Sequence, residues 1–236
     1  MKCNQLFYNC HKLYKIDCSN FDCSQIIDCS EMFKNCSSLK EIKLGNLEFA
    51  LSSNFSSMFE NCYYLEKLDV SYFNTKKSKS FSRMFKGCSK LKEINVSKFK
   101  TEICEYMSYM FYKCRSLESI DMLNWDLKNI RNKSGIDGLF NGCSSLKNIK
   151  LNFNKKDYFE LENNYYNNYY NDYCNIGIGY QTCFKQKSLC EEENKEKLAD
   201  KIFGGLPNIG SFIWKKGIDC NELLKFLPYS WNRVEE

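Results

Sequence analysis

Apolar residues along this chain fall in a frame that returns every 26 residues. Cys10, Cys36, Cys62, Cys88 and Cys114 are spaced by that interval, and Cys143 follows after 29. Three residues before each cysteine stands an aromatic: Phe7, Phe33, Phe59, Phe85, Phe111 and Phe140. Before the ring comes Leu6, Met32, Met58, Met84, Met110 or Leu139, and three residues after the cysteine comes Leu13, Leu39, Leu65, Leu91, Leu117 or Leu146. Then follow Ile16, Ile42, Leu68, Ile94, Ile120 and Ile149, with Cys18, Leu44, Val70, Val96, Met122 and Leu151 two positions on. Phe21, Leu47, Phe73, Phe99 and Trp125 close five of the six units. Six matches in register are the signature of an internal repeat.

Apolar positions two apart predict a short strand with one face inward in each unit, because successive strand side chains alternate. The Met-Phe-x-x-Cys stretch predicts a helical turn or a tight arc. A lone unit buries too few side chains to offset its chain entropy, so the units must stack. The expected fold is an α/β repeat: a leucine-rich-repeat solenoid of about six coils over residues 1–153, with a small C-terminal cap or appendage.

The residues flanking the inward strand positions then point out to a concave face. These are Lys15 and Asp17, Glu41 and Lys43, Lys67 and Asp69, Glu93 and Asn95, Ser119 and Asp121, and Asn148 and Lys150, with Ser19, Ser71 and Ser97 close behind. They are polar, mixed in sign and free of aromatics. One reading is a solvated face laced with charge pairs. The other is a hydrogen-bonding surface for a protein or glycan partner, since a rigid array loses little entropy on binding.

After Phe153 the period stops. Residues 154–173 are rich in Tyr and Asn and read as a connector, with a sticky surface as the alternative. Residues 174–236 regain order: a charged helix over 191–203 stopped by Gly204 and Gly205, a strand at Phe212-Ile213-Trp214, and a capping-box-like start at Asp219. This region predicts a cap over the last coil or a small separate domain.

The chain holds 15 cysteines and one histidine, His11. The periodic cysteines read as a stacked column of small buried thiols; cross-coil disulfides and a metal site are the alternatives. Cys174, Cys183, Cys190 and Cys220 read as unpaired thiols, with two disulfides or a four-cysteine zinc site as the alternatives, the wide and irregular spacing weighing against zinc. A thiol nucleophile needs a base, and the single histidine lies in the first unit. No phosphate-binding glycine loop, HExxH or GxSxG occurs. The sequence therefore predicts a binding protein rather than an enzyme, with no cofactor and no metal.

Charge narrows the partner. Residues 1–153 hold 23 Lys+Arg against 16 Asp+Glu, and the remainder 11 against 13. That modest excess, interleaved with acids, argues against nucleic acid, which asks for a stripe of one sign. The longest apolar runs are a few residues, far short of the roughly 20 that a membrane-spanning helix needs. No secretory signal precedes the repeats, which predicts either an intracellular protein or an N-terminally incomplete copy of a longer one.

The frame Met-Phe-x-x-Cys-x-x-Leu-x-x-Leu-Asp-Val-Ser-x-Phe-Asn-Thr at 58–75, repeated at 84–101 with Lys100 in place of Asn, resembles the BspA-type leucine-rich-repeat surface proteins of bacteria, mycoplasmas and protozoan parasites. The resemblance covers about 150 residues. It implies a solenoid used in adhesion or host contact, at the cell surface or secreted; a cytoplasmic scaffold is the alternative. The Asn-Val-Thr-x-Met stretch usual in that family is replaced here by Lys77-Ser78-Lys79-Ser80-Phe81.

Overall fold

The computed structural model describes residues 2–45, 49–130, 135–151, 211–214 and 232–235. The connector 154–173, the helix expected over 191–203, the capping segment at Asp219 and the four tail cysteines lie outside the described residues.

Each unit contributes one short strand where the Leu-x-x-Ile pattern placed it: β1 (Lys15–Asp17), β2 (Glu41–Lys43), β3 (Lys67–Leu68), β4 (Glu93–Ile94), β5 (Ser119–Met122) and β6 (Asn148–Leu151). β1 pairs with β2, β3 with β4 and β5 with β6, all parallel and in repeat register, so that Ile16 lies opposite Ile42, Leu68 opposite Ile94 and Ile120 opposite Ile149. Two tail segments extend the last ladder. β7 (Ser211–Trp214) pairs parallel with β6, and β8 (Asn232–Glu235) pairs parallel with β7. The strand expected at Phe212–Trp214 is β7; β8 carries no apolar period and was not anticipated.

The Met-Phe-x-x-Cys stretch is a tight arc. No α-helix occurs among the described residues, so the helical half of the expected α/β repeat is absent from them. The arc has its own backbone logic. In each unit the residues two before and two after the phenylalanine have positive φ: Gln5 and Asn9, Glu31 and Asn35, Ser57 and Asn61, Arg83 and Gly87, Tyr109 and Lys113. A left-handed residue other than glycine costs roughly 1–2 kcal/mol, and hydrogen bonds to the next unit offset that cost. Gln5, Phe7 and Asn9 donate their N–H groups to the carbonyls of Ser30, Met32 and Lys34, at 3.1, 2.8 and 2.9 Å. Glu31, Phe33 and Asn35 repeat the pattern toward Ser56, Met58 and Glu60. Alternate residues of each arc thus aim their N–H groups at the following unit, which makes a second ladder on the side of the unit away from the strand.

The core lies between the two ladders. Phe7, Phe33, Phe59, Phe85, Phe111 and Phe140 form one column of near-parallel rings with centroids 5.1 to 5.9 Å apart. A second aromatic cluster joins Phe55, Phe73, Phe81, Phe99 and Trp125. The Trp125 indole is fully buried and donates to the Val96 carbonyl at 3.0 Å, so its one polar atom is satisfied.

Candidate binding surface

The strand-flanking residues form two columns. The first runs Lys15, Glu41, Lys67, Glu93, Ser119, Asn148; the second runs Asp17, Lys43, Asp69, Asn95, Asp121, Lys150. Lys15, Asp17, Glu41, Lys43, Lys67, Asp69, Glu93, Asn95, Ser119 and Asn148 are exposed, and Asp121 and Lys150 are half-buried. The sign alternates down the first four positions of the first column. Where β1 meets β2 that alternation closes into two cross-strand ion pairs, Lys15 with Glu41 and Lys43 with Asp17 at 3.7 Å. Lys67 and Glu93 lie opposite one another in register without an ion pair within 4 Å.

The second column has a further duty that its composition did not announce. Asp17, Asp69 and Asn95 each accept the backbone N–H of Ser19, Ser71 or Ser97 through Oδ1, at 2.9 to 3.1 Å, and Asp121 accepts that of Leu123 at 3.1 Å. These are Asx turns at the C-terminal ends of β1, β3, β4 and β5. Hydrogen bonds from Ser71 hold the Asp69 carboxyl below the ordinary aspartate range, and those from Ser19 do the same for Asp17. Lys67, Glu93, Ser119 and Asn148 are exposed and take part in none of these Asx bonds or ion pairs.

The arc carries chemistry of its own. Each core thiol donates to the carbonyl of the phenylalanine one unit back: Cys36 to Phe7 at 3.1 Å, Cys62 to Phe33 at 3.2 Å, Cys88 to Phe59 at 3.1 Å, Cys114 to Phe85 at 3.0 Å and Cys143 to Phe111 at 3.0 Å. Burial pushes Cys36, Cys88 and Cys143 up to about 12, and Cys62 and Cys114 well above the ordinary thiol value. Such thiols stay protonated and unreactive at neutral pH. All the cysteines among the described residues are unpaired, and no three His, Cys, Asp or Glu side chains there converge on a metal position.

An ion-pair chain crosses the same arcs. Lys34 contacts Glu31 at 2.6 Å and Glu60 at 3.4 Å, and Glu60 contacts Lys86 at 2.9 Å. Burial works to raise the Glu60 carboxyl, but hydrogen bonds from Lys86 and Ser57 and the charges of Lys86 and Lys34 outweigh it, leaving the group below its ordinary value.

Among the described residues grooves open between units at two places, and the sequence pointed only to Ser71 and Ser97 in the second. One, about 360 Å³, lies on the arcs among Asn61, Tyr63, Gly87, Tyr112, Lys113 and Arg115. The other, about 760 Å³ and shallower, follows β3 and β4 among Tyr72, Lys76, Lys98 and Lys100. Their walls come from residues about 26 or 52 apart, which only the stacking brings together.

A family model described as "Mycoplasma protein of unknown function, DUF285" matches the chain twice, over residues 1–95 and 53–172. The second match runs past Phe153, where the apolar period ends. No curated protein and no solved structure matches the chain significantly.

Proposed function

The chain belongs to this DUF285 family, and from that premise we propose that it is a leucine-rich-repeat solenoid of the BspA type that works by binding a protein or glycan, adhesin-like, and performs no catalysis. The observation that carries the reading is the pair of exposed strand-flanking columns held in register, with Lys67, Glu93, Ser119 and Asn148 facing outward. A surface whose backbone is fixed by repeat stacking presents its polar groups already ordered, so little of the binding energy goes into immobilising them. The buried, protonated core thiols support the non-catalytic part, because they are unsuited to nucleophilic attack. Mixed sign along the columns favours a protein or glycan over nucleic acid. By family resemblance the site of action is the cell surface or the medium. No helix among the described residues is long and apolar enough to cross a membrane.

The test is a binding screen of the intact chain against an array of glycans and a panel of purified extracellular-matrix proteins, repeated with the double variant Lys67→Ser, Glu93→Ser. A ligand whose affinity falls at least tenfold in the variant supports the reading. A screen without any ligand overturns it, and a ligand indifferent to the variant moves the site off the strand columns.

A further inference from the structure

We propose that the groove on the arcs around Gly87 is a binding site for a carboxylate-bearing sugar, a uronic or sialic acid residue of a glycan; the inference rests on the glycan-binding reading above and gives it a second location. The repeat itself explains why the groove exists. At the position before the column cysteine, Asn9, Asn35 and Asn61 stack as an amide ladder, Asn35 donating to the Asn9 side-chain carbonyl and Asn61 to that of Asn35, each at 2.8 Å. Gly87 occupies the next rung. Its φ of +75° continues the left-handed backbone, and a Cβ there would sit 2.5 Å from Asn61 Oδ1. The ladder therefore stops, and no described side chain donates to Asn61 Oδ1. The vacated rung is the floor of a space of about 360 Å³.

The walls define the ligand. Tyr63, an exposed aromatic, lies on one side and Tyr112 on another. Lys113 lies over the Tyr112 ring at 5.1 Å, and neither it nor Arg115 has a carboxylate within 4 Å among the described residues. Lys86, by contrast, is already committed to Glu60 at 2.9 Å. The site thus offers two available cations, an aromatic wall and one open acceptor. A sulfate satisfies the cations but has no proton to give Asn61 Oδ1, and a phosphate, which can donate, has no C–H face for the tyrosine wall. An acidic pyranose meets all three demands: its carboxylate faces Arg115 and Lys113, its hydroxyl donates to Asn61, and its C–H face packs on tyrosine.

The experiment is calorimetric titration of the intact chain with 3′-sialyllactose, an unsulfated hyaluronan tetrasaccharide, lactose, triglutamate and inorganic sulfate. At least one acidic sugar should bind ten or more times tighter than lactose, triglutamate and sulfate, and which one binds separates sialic from uronic acid. Arg115→Gln should weaken that binding at least tenfold. Gly87→Asn should abolish it, because the new amide refills the rung at a backbone geometry that Asn35 and Asn61 already adopt, once the Asn61 Oδ1 that a Cβ would meet at 2.5 Å has turned aside; a cooperative thermal transition shows that the variant folds. Should Gly87→Asn misfold, Tyr63→Ser on the exposed wall gives the same readout. Acidic sugars binding no better than lactose, equal binding of triglutamate, or binding that survives Gly87→Asn or its substitute overturns the proposal. Loss of sugar binding only in Lys67→Ser, Glu93→Ser overturns it too, while leaving the broader binding reading standing.

Discussion

The Cys62 thiol donates a 3.2 Å hydrogen bond to the backbone carbonyl of Phe33 in the preceding unit. The same carbonyl already accepts the Cys36 N–H in the turn of its own arc, at 3.1 Å. Cysteine recurs at this position because it is small enough for the crowded turn and still carries a donor. Cys62→Ala should therefore cost about 1–2 kcal/mol, from a lost buried donor and a small cavity. Urea denaturation of Cys62→Ser decides between donor and filler. A donor role predicts that serine is no less stable than alanine; a purely apolar role predicts the reverse.

The same burial makes a pH prediction. A thiol held at about 12 when folded and at about 8.5 when unfolded contributes stability that is complete below the unfolded value and is lost as pH rises through the folded one. Cys36, Cys88 and Cys143 all titrate in that sense. Thermal melts should show stability falling from about pH 9 upward, more steeply than in a variant carrying Cys88→Ala and Cys143→Ala. In the native state, iodoacetamide mapping by mass spectrometry should leave Cys62, Cys88 and Cys114 unlabelled until denaturant is added. Early labelling, or a Cys62–Cys88 disulfide, contradicts the column as described.

Phe85 stacks between Phe59 and Phe111, with centroids at 5.9 and 5.5 Å. Phe85→Ala should cost about 3–5 kcal/mol, as other large-to-small core changes do. A Phe85→Leu control, which keeps most of the volume, should lose well under half of that. Denaturation midpoints compared at equal m-values provide the measurement.

The aromatic column and the strand positions were legible because both follow from which side chains must be buried: Phe33, Phe59, Phe85 and Phe111 share a slot, and so do Leu68, Ile94, Ile120 and Ile149. The arc was legible only in part. Asn9, Asn35, Asn61 and Gly87 are residue types that tolerate positive φ, but Glu31, Ser57, Arg83, Tyr109 and Lys113 share that conformation with no local chemistry to announce it. Stacking bonds impose it on them. Asp69 and Asn95 illustrate a different miss. The D-x-S and N-x-S spacing was visible, yet outward polarity alone reads as ligand contact when a third of those positions are tied up in turns. The groove at Gly87 was invisible because one missing side chain matters only beside a ladder that the sequence does not draw.

Glu60 makes the opposite pH prediction. Its side chain is largely buried between Lys34 and Lys86, and its folded pKa is depressed. The stability it contributes is present above the unfolded value of about 4.3 and is lost as pH falls through the lower folded value. Glu60→Gln should lower stability at pH 7 by about 1–3 kcal/mol, since two cations lose their shared partner. The variant's stability curve below pH 5 should be flatter than the wild type's. Parallel curves from pH 5 to pH 3 show that Glu60 is not a titrating group in unfolding.

The strand columns divide into residues that hold turns and residues free to meet a partner, and mutation can separate the two. Asp69→Ala and Asn95→Ala each remove an Oδ1 acceptor for a serine N–H, so each should lower Tm by about 1–3 °C whether or not a ligand is present. Lys67→Ser and Glu93→Ser touch no such bond and should leave Tm nearly unchanged while weakening any ligand held on this face. A ligand weakened by the first pair only in proportion to their instability, and strongly by the second, places recognition on the Lys67–Glu93 register pair. If Asp69→Ala and Asn95→Ala leave Tm unchanged, the turns do not need them. Those carboxylate and amide groups then return to the list of ligand contacts.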